Sequence, residues 1–151
     1  EQIATDMATV SAAAKSHDRE DQLRYGLRSH VLVRETAEEA QAAVKLLMAD
    51  ATDQMRAHRQ NALGNQSHAD ARMREVAEEA AENDHWLSDT LWAGITTIRH
   101  GAGVTIVGSA EQVAETIQGY IDLGISSFCL SGYPHDEEAT RFGDLVMPAF
   151  Q

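Results

Sequence analysis

The feature that most constrains the fold is a repeated pattern in which a short apolar segment runs straight into a helix with its own start signal. Residues 23–34 are followed by TAEE at 36–39, and residues 104–107 are followed by SAEQ at 109–112. In both tetrapeptides the first hydroxyl and the last side chain can satisfy free N–H groups of the first helical turn. Strands that alternate with helices predict parallel βαβ units.

The rest of the chain extends this alternation. Residues 125–130 form a third strand-like run, and residues 1–18 have the apolar spacing of a helix. Residues 53–90 are helical in pattern but very polar, with a break expected at residues 64–65, so they predict a helical insertion. A last helix is expected after Asp136.

We therefore expect one α/β domain covering residues 1–151, in the order α, β, α, insertion, β, α, β, α. Three strands are too few to close a barrel, and a complete (β/α)8 barrel takes about 250 residues. The pattern fits about three βα units from the C-terminal portion of a (β/α)8 TIM barrel. Because Glu1 stands within a helical pattern, we expect the chain to be part of a longer protein.

The acidic charge balance limits the partners. The chain has 12 Lys and Arg residues against 24 Asp and Glu residues, which gives a net charge of −12. Nucleic acid and anionic membranes both need a basic face, so we expect neither as a partner. No apolar run approaches the ~20 residues of a membrane span, and no signal-peptide pattern is present. We therefore expect a cytoplasmic protein.

The residue types that bind metals do not form a site by their spacing. Cys129 is the one cysteine, and its apolar surroundings predict a buried strand residue in a reducing compartment. His58, His68 and His85 have no ligand spacing among them, so we expect no metal. The acidic run at 136–138 is expected to be a solvated helix face.

One strand carries two residues suited to an anion. Arg28 and His30 are two positions apart, so their side chains share a face of the strand. The other face is apolar and is expected to pack against helices, which leaves Arg28 and His30 on the interior face of a barrel. A buried arginine without an anion is costly. An anion site and a structural ion pair with carboxylates both remain open on this spacing.

Two further segments are candidates for the site. Residues 91–103 form a glycine-punctuated loop in which Arg99 could close over an anionic ligand, although an exposed loop arginine is the commoner case. In the turn after the third strand, Ser131 and Tyr133 could donate hydrogen bonds, although turn chemistry alone would explain its Gly and Pro. His135 lies either on the rim of the site or simply at the start of the last helix.

Four motifs carry a resemblance to a known family: RYGLRSHVLVRET at 24–36, LWAG at 91–94, RHGAG at 99–103 and LSGYPH at 130–135. Together they resemble the two-component flavin-dependent alkanesulfonate monooxygenases of the bacterial luciferase-like TIM-barrel superfamily, over nearly the whole chain. The resemblance implies that reduced FMN (FMNH2) comes from a separate NAD(P)H-dependent FMN reductase and reacts with O2. An alkanesulfonate is then desulfonated to an aldehyde and sulfite.

The resemblance also implies roles for four residues. Arg28 and His30 match the strand pair that faces sulfonate and flavin, Arg99 matches the lid arginine, and Tyr133 matches a tyrosine near the reacting groups. All four are expected to be catalytic, and Arg99 and Tyr133 are expected to contact the cofactor as well. His100 stands where many relatives have glycine. The family's cysteine and much of its flavin-phosphate site belong to an N-terminal half, so we expect the 151-residue chain to be inactive alone.

Two other functions remain open. One is a related luciferase-like monooxygenase that acts on another sulfur compound, such as dimethyl sulfone. The other is a non-catalytic flavin-binding protein of the same fold. Because a partial barrel exposes strand edges, we also expect a homo-oligomer.

Overall fold

The computed structural model of the chain describes residues 2–49, 51–61, 68–99 and 101–151. Helices and strands alternate along these residues in nearly the predicted order. Their bounds are α1 Gln2–Lys15, β1 Tyr25–Arg34, α2 Ala37–Ala49, α3 Asp53–Asn61, α4 His68–Glu79, β2 Leu91–Trp92, β3 Thr105–Ser109, α5 Ala110–Asp122, β4 Ile125–Ser131 and α6 His135–Leu145. The sequence analysis did not predict the short strand β2.

The strands form one sheet in the order β2-β3-β1-β4. β1 lies between β3 and β4 and runs parallel to both, while β2 is antiparallel to β3. The register places His30 beside Thr105 of β3 and beside Ser131 of β4. Since side chains alternate between the two faces along a strand, these three residues form one row on the same face of the sheet.

Helices cover both faces of the central strand. On one face, Leu32 and Val107 pack against α2, and on the other, Val31, Val33 and Ile106 pack against α5 and α6. The side chains of Val33, Ile106 and Val107 are 0% exposed, and burying each contributes about 1.5–3 kcal/mol relative to leaving it in water. A continuous apolar run such as that of β1 is typical of a parallel strand covered on both faces.

The α/β class is confirmed, and the barrel is not. A (β/α)8 barrel places successive strands side by side and all its helices on the outside. In the described residues β4 pairs with β1 instead of β3, and helices lie on both faces of the sheet. The described sheet is therefore open. The sheet is open because β1 carries apolar side chains on both faces, and a separate layer of helices buries the side chains of each face.

The predicted helix starts are seen in the structure. The Gln112 N–H donates to Ser109 Oγ at 3.3 Å, and the Ser109 N–H donates to Gln112 Oε1 at 3.0 Å. The Glu39 N–H likewise donates to Thr36 Oγ1 at 3.2 Å. These caps start α2 and α5 directly after β1 and β3. None of the helices in the described part of the chain is long and apolar enough to cross a membrane.

The polar insertion predicted at about 53–90 contains α3 and α4. α4 packs against a 3-10 helix at Gly94–Thr97. The Arg56 guanidinium donates to Thr97 Oγ1 at 3.4 Å, so both helices of the insertion contact this segment. The break predicted at residues 64–65 lies outside the described residues.

The expectation that Cys129 is buried is wrong. Its side chain is exposed, and it pairs in register with Arg28, which is also exposed. Phe128 and Leu130 point to the opposite face and pack against the core. The apolar run of β4 is therefore covered on one face only, and the exposed face continues from Cys129 to Arg28 of β1.

We predict that Gly132→Ala lowers the free energy of unfolding by about 1–3 kcal/mol. A Cβ at this position would lie 2.8 Å from the Val31 carbonyl oxygen and against the side chain of Glu138. Gly119→Ala in α5 is the matched control, because a Cβ there meets nothing within 4 Å, and a helix favours Ala over Gly by up to ~1 kcal/mol. Urea unfolding measures both variants, and equal effects would contradict the close packing of α6 on β1.

Candidate functional site

The structure brings the four predicted site residues to one place, together with His135. The His30 ring stacks on Tyr133 at a centroid distance of 5.3 Å and an interplanar angle of 22°. The rings of Tyr133 and His135 are 4.7 Å apart, and the Arg99 guanidinium carbon is 4.7 Å from the Tyr133 ring centroid. Arg28 acts on His30 through its charge. We call these five residues the His30 cluster.

Arg28 and His30 lie on one face of β1, as their spacing predicts. The expectation that this face is the interior of a barrel is not confirmed, because Leu32 continues the same face and packs against α2. His30 is only 4% exposed, whereas Arg28, which lies nearer the start of the strand, is exposed. Along this face of β1, Arg28 is exposed to solvent, His30 is buried and Leu32 lies in the core.

The charged groups that act on His30 are all cationic. Burial, and then the positive charges of Arg99, Arg28 and His135, lower the pKa of His30 below its usual value of 6.5. Neither Arg28 nor Arg99 forms an ion pair with a carboxylate among the residues that the structure describes. An anion bound between these groups would offset their mutual repulsion and raise the pKa of His30.

Two buried polar atoms next to each other in the sheet have no hydrogen-bond partner. They are Nδ1 of His30 and Oγ1 of Thr105. Leaving a buried donor or acceptor unsatisfied costs about 1–3 kcal/mol, so such atoms are rare in folded proteins. Thr105 was missed by the sequence analysis, because only the register between β1 and β3 places it beside His30.

The segment predicted as a loop at 91–103 contains β2 and the 3-10 helix Gly94–Thr97. Trp92 is 3% exposed and its indole N–H donates to the Asp84 carbonyl oxygen at 3.1 Å, and Ile95 and Ala102 are buried in the same cluster. Arg99 is exposed between them, while His100 lies outside the described residues. Closure of this loop as a lid stays a prediction.

The turn that carries Tyr133 is held by a buried ion network. Glu138 is 3% exposed, and its carboxylate accepts a hydrogen bond from Arg34 at the end of β1 at 3.1 Å and another from Arg141 at 2.7 Å. The expectation that the acidic run at 136–138 is a solvated face is therefore wrong for Glu138. Gly132 lets the Glu138 side chain approach the sheet, since a Cβ at position 132 would collide with it.

The cluster combines cationic and aromatic side chains from within β1, from the loop before β3 and from the turn after β4, and cationic side chains of this kind suit an anionic ligand. No group of His, Cys, Asp and Glu suited to a metal ion occurs in the described part of the chain. The family model for luciferase-like monooxygenases matches residues 1–127, and the chain belongs to this family. Membership supports a general flavin-dependent monooxygenase activity. The match includes Arg28, His30 and Arg99 and ends before Tyr133.

We predict that His30 makes stability fall as the pH falls below about 6.5. The pKa of His30 is lower in the folded state than in the unfolded state. Between the two pKa values the unfolded chain therefore binds more protons, so stability rises with pH in this window. Urea unfolding at about pH 7.5 and about pH 5.5 should show a smaller pH effect in His30→Gln than in the unchanged protein. The same pH effect in both proteins would contradict the lowered pKa.

Proposed function

We propose that the protein is an FMNH2-dependent monooxygenase that uses O2 to desulfonate alkanesulfonates to aldehyde and sulfite. Family membership supports the general class of reaction. The observation that carries the substrate is the His30 cluster, in which the charges acting on a buried histidine are all positive. A sulfonate is an anion throughout the physiological pH range, and arginine binds such oxyanions with charge-assisted hydrogen bonds.

In this proposal the two arginines bind the sulfonate from different parts of the fold. Arg28 is exposed on β1 and Arg99 is exposed on the loop between β2 and β3, so the two can bind the sulfonate oxygens from different elements. His30 is buried, and its Nδ1, which has no hydrogen-bond partner in the described residues, is available to the same group. Since Arg99 also lies over Tyr133, movement of its loop would change access to the stacked rings and limit the entry of water.

The cluster also fits a reduced flavin. Its positive charge suits an anionic cofactor, and the aromatic ring of Tyr133 lies against the Arg99 guanidinium. Arg99 and Tyr133 are the residues that would contact FMN. When bound, reduced FMN supplies the electrons and activates O2, while the protein residues bind the sulfonate and exclude water. The FMN reductase and a homo-oligomeric assembly remain part of the proposal.

The charge of the site favours a sulfonate over a neutral sulfur compound such as dimethyl sulfone. A neutral sulfone would leave the repulsion between Arg28, Arg99 and their neighbours uncompensated, whereas a sulfonate would offset it. A non-catalytic flavin-binding protein would not need the sulfonate at all. These alternatives differ in which compounds bind and react, so one assay separates them.

We predict that the complete protein, supplied with an FMN reductase, NAD(P)H and O2, releases sulfite from straight-chain alkanesulfonates. Sulfite is measured with a thiol-reactive dye, with dimethyl sulfone as the competing substrate. Omitting either the reductase or O2 should abolish the release. Oxidation of dimethyl sulfone without sulfite release would show that the substrate is the neutral sulfone. Flavin binding without either reaction would support the non-catalytic alternative.

We predict that Arg99→Ala lowers kcat/KM for the sulfonate by about 10- to 100-fold, the effect of losing a hydrogen bond to a charged group. Arg74→Ala is the matched control, because Arg74 is a surface residue of α4 that pairs only loosely with Glu78 at 3.9 Å. Tyr133→Phe keeps the ring stack and removes the hydroxyl, so comparison with Tyr133→Ala separates the two contributions. Unchanged activity in Arg99→Ala and Tyr133→Ala together would contradict a catalytic role for the cluster.

A further inference from the structure

Thr105 is a buried residue beside the cluster whose polar atom has no partner in the described structure. Its side chain is 4% exposed, as is that of His30, and both Thr105 Oγ1 and His30 Nδ1 lack a hydrogen bond. The two residues are direct register partners in β3 and β1. They therefore present two unsatisfied polar atoms side by side on one face of the sheet.

Register partners on neighbouring strands lie close enough for one buried oxygen to bond to polar atoms of both. Neighbouring strands lie about 4.8 Å apart, and both Oγ1 and Nδ1 are close to their own Cβ atoms. A hydrogen bond spans about 2.8 Å, so a single oxygen above the two residues can bond to both. On the other side of His30, Ser131 completes the row but is only half-buried, so water can satisfy its hydroxyl.

The surrounding charges determine whether an anionic or a neutral oxygen binds better between Thr105 and His30. Arg28, Arg99 and His135 all place positive potential on His30, so an anionic oxygen is favoured over that of a neutral molecule. Such an oxygen accepts a hydrogen bond from the Thr105 hydroxyl and another from a protonated Nδ1. A single oxygen then satisfies both donors.

We infer that Thr105 is a substrate-binding residue, and that Thr105 Oγ1 and His30 Nδ1 together bind one oxygen of the sulfonate at the floor of the His30 cluster. This inference rests on the proposed function, because the sulfonate is the anion assigned to the cluster. The arginines hold the sulfonate from the solvent side, and the Thr105–His30 pair fixes its depth and orientation.

The test measures sulfonate binding to the complete protein by calorimetry, without reductase, so that no turnover occurs. Thr105→Val removes the hydroxyl and keeps the branched shape, and it should weaken binding at least about tenfold. Thr105→Ser keeps the hydroxyl and should bind within about threefold of the unchanged protein. Thr116→Val is the matched control: the Thr116 hydroxyl donates to the Gln112 carbonyl oxygen and is paired with the Thr90 hydroxyl, and it lies on α5, which packs on the opposite face of the sheet.

A second readout follows the histidine itself. With ¹⁵N-labelled histidine, the Nδ1 signal of His30 should move to the range of a protonated, hydrogen-bonded nitrogen when the sulfonate is added. In Thr105→Val this change should need a correspondingly higher sulfonate concentration. Thermal unfolding of each variant checks that the fold is retained.

The outcomes separate this inference from the proposed function. If sulfonate binds but Thr105→Val binds equally well, a buried water satisfies the pair and the inference is overturned, while sulfite release is unaffected. The inference also fails if Thr105→Ser is as weak as Thr105→Val, because shape rather than the hydroxyl would then matter. Tight, Thr105-dependent binding without sulfite release supports the binding position and overturns the proposed reaction. Absence of sulfonate binding to the unchanged protein overturns both.

Discussion

The parallel pairing of β1 with a strand on each side is the constraint on which the site depends. It fixes the row of Thr105, His30 and Ser131 across three strands. A slip of one residue in either register would turn these side chains to the opposite face. Such a slip would also exchange Leu32 and Val33, which are 3% and 0% exposed, between two differently packed layers of helices. The core that holds the register thereby also sets the position of the buried histidine.

A second set of contacts holds the aromatic half of the site. Tyr133 lies in a turn between β4 and α6, and turns have few interactions of their own to fix a side chain. The carboxylate of Glu138 in α6 binds Arg34 at the end of β1, and the absence of a side chain at Gly132 permits that approach. Breaking such a buried ion pair by removing one partner typically costs about 3–5 kcal/mol. The stack of His30 and Tyr133 therefore depends on a contact outside the cluster.

The site is positive within a chain whose net charge is −12. The positive charge of the cluster and the negative charge of the whole chain act over different distances, because salt screens exposed charges beyond about 8 Å at physiological ionic strength. An anionic ligand at the cluster would therefore respond mainly to Arg28 and Arg99, whose positive charges lower the pKa of His30. The acidic remainder of the surface affects mainly its approach.

The sequence by itself determined the local elements, because capping boxes at Thr36 and Ser109 and runs of apolar residues act over a few positions. It also singled out Arg28, His30, Arg99 and Tyr133 as candidate site residues, because their motifs are continuous in the chain. Only the tertiary structure decided that β4 pairs with β1, that Cys129 is exposed on an edge strand and that Glu138 is buried. The same holds for Thr105, since its contact with the site arises from hydrogen bonding between strands that are 75 residues apart at His30 and Thr105. Strand pairing of this kind depends on the burial of whole faces of the sheet, and no short sequence motif contains that information.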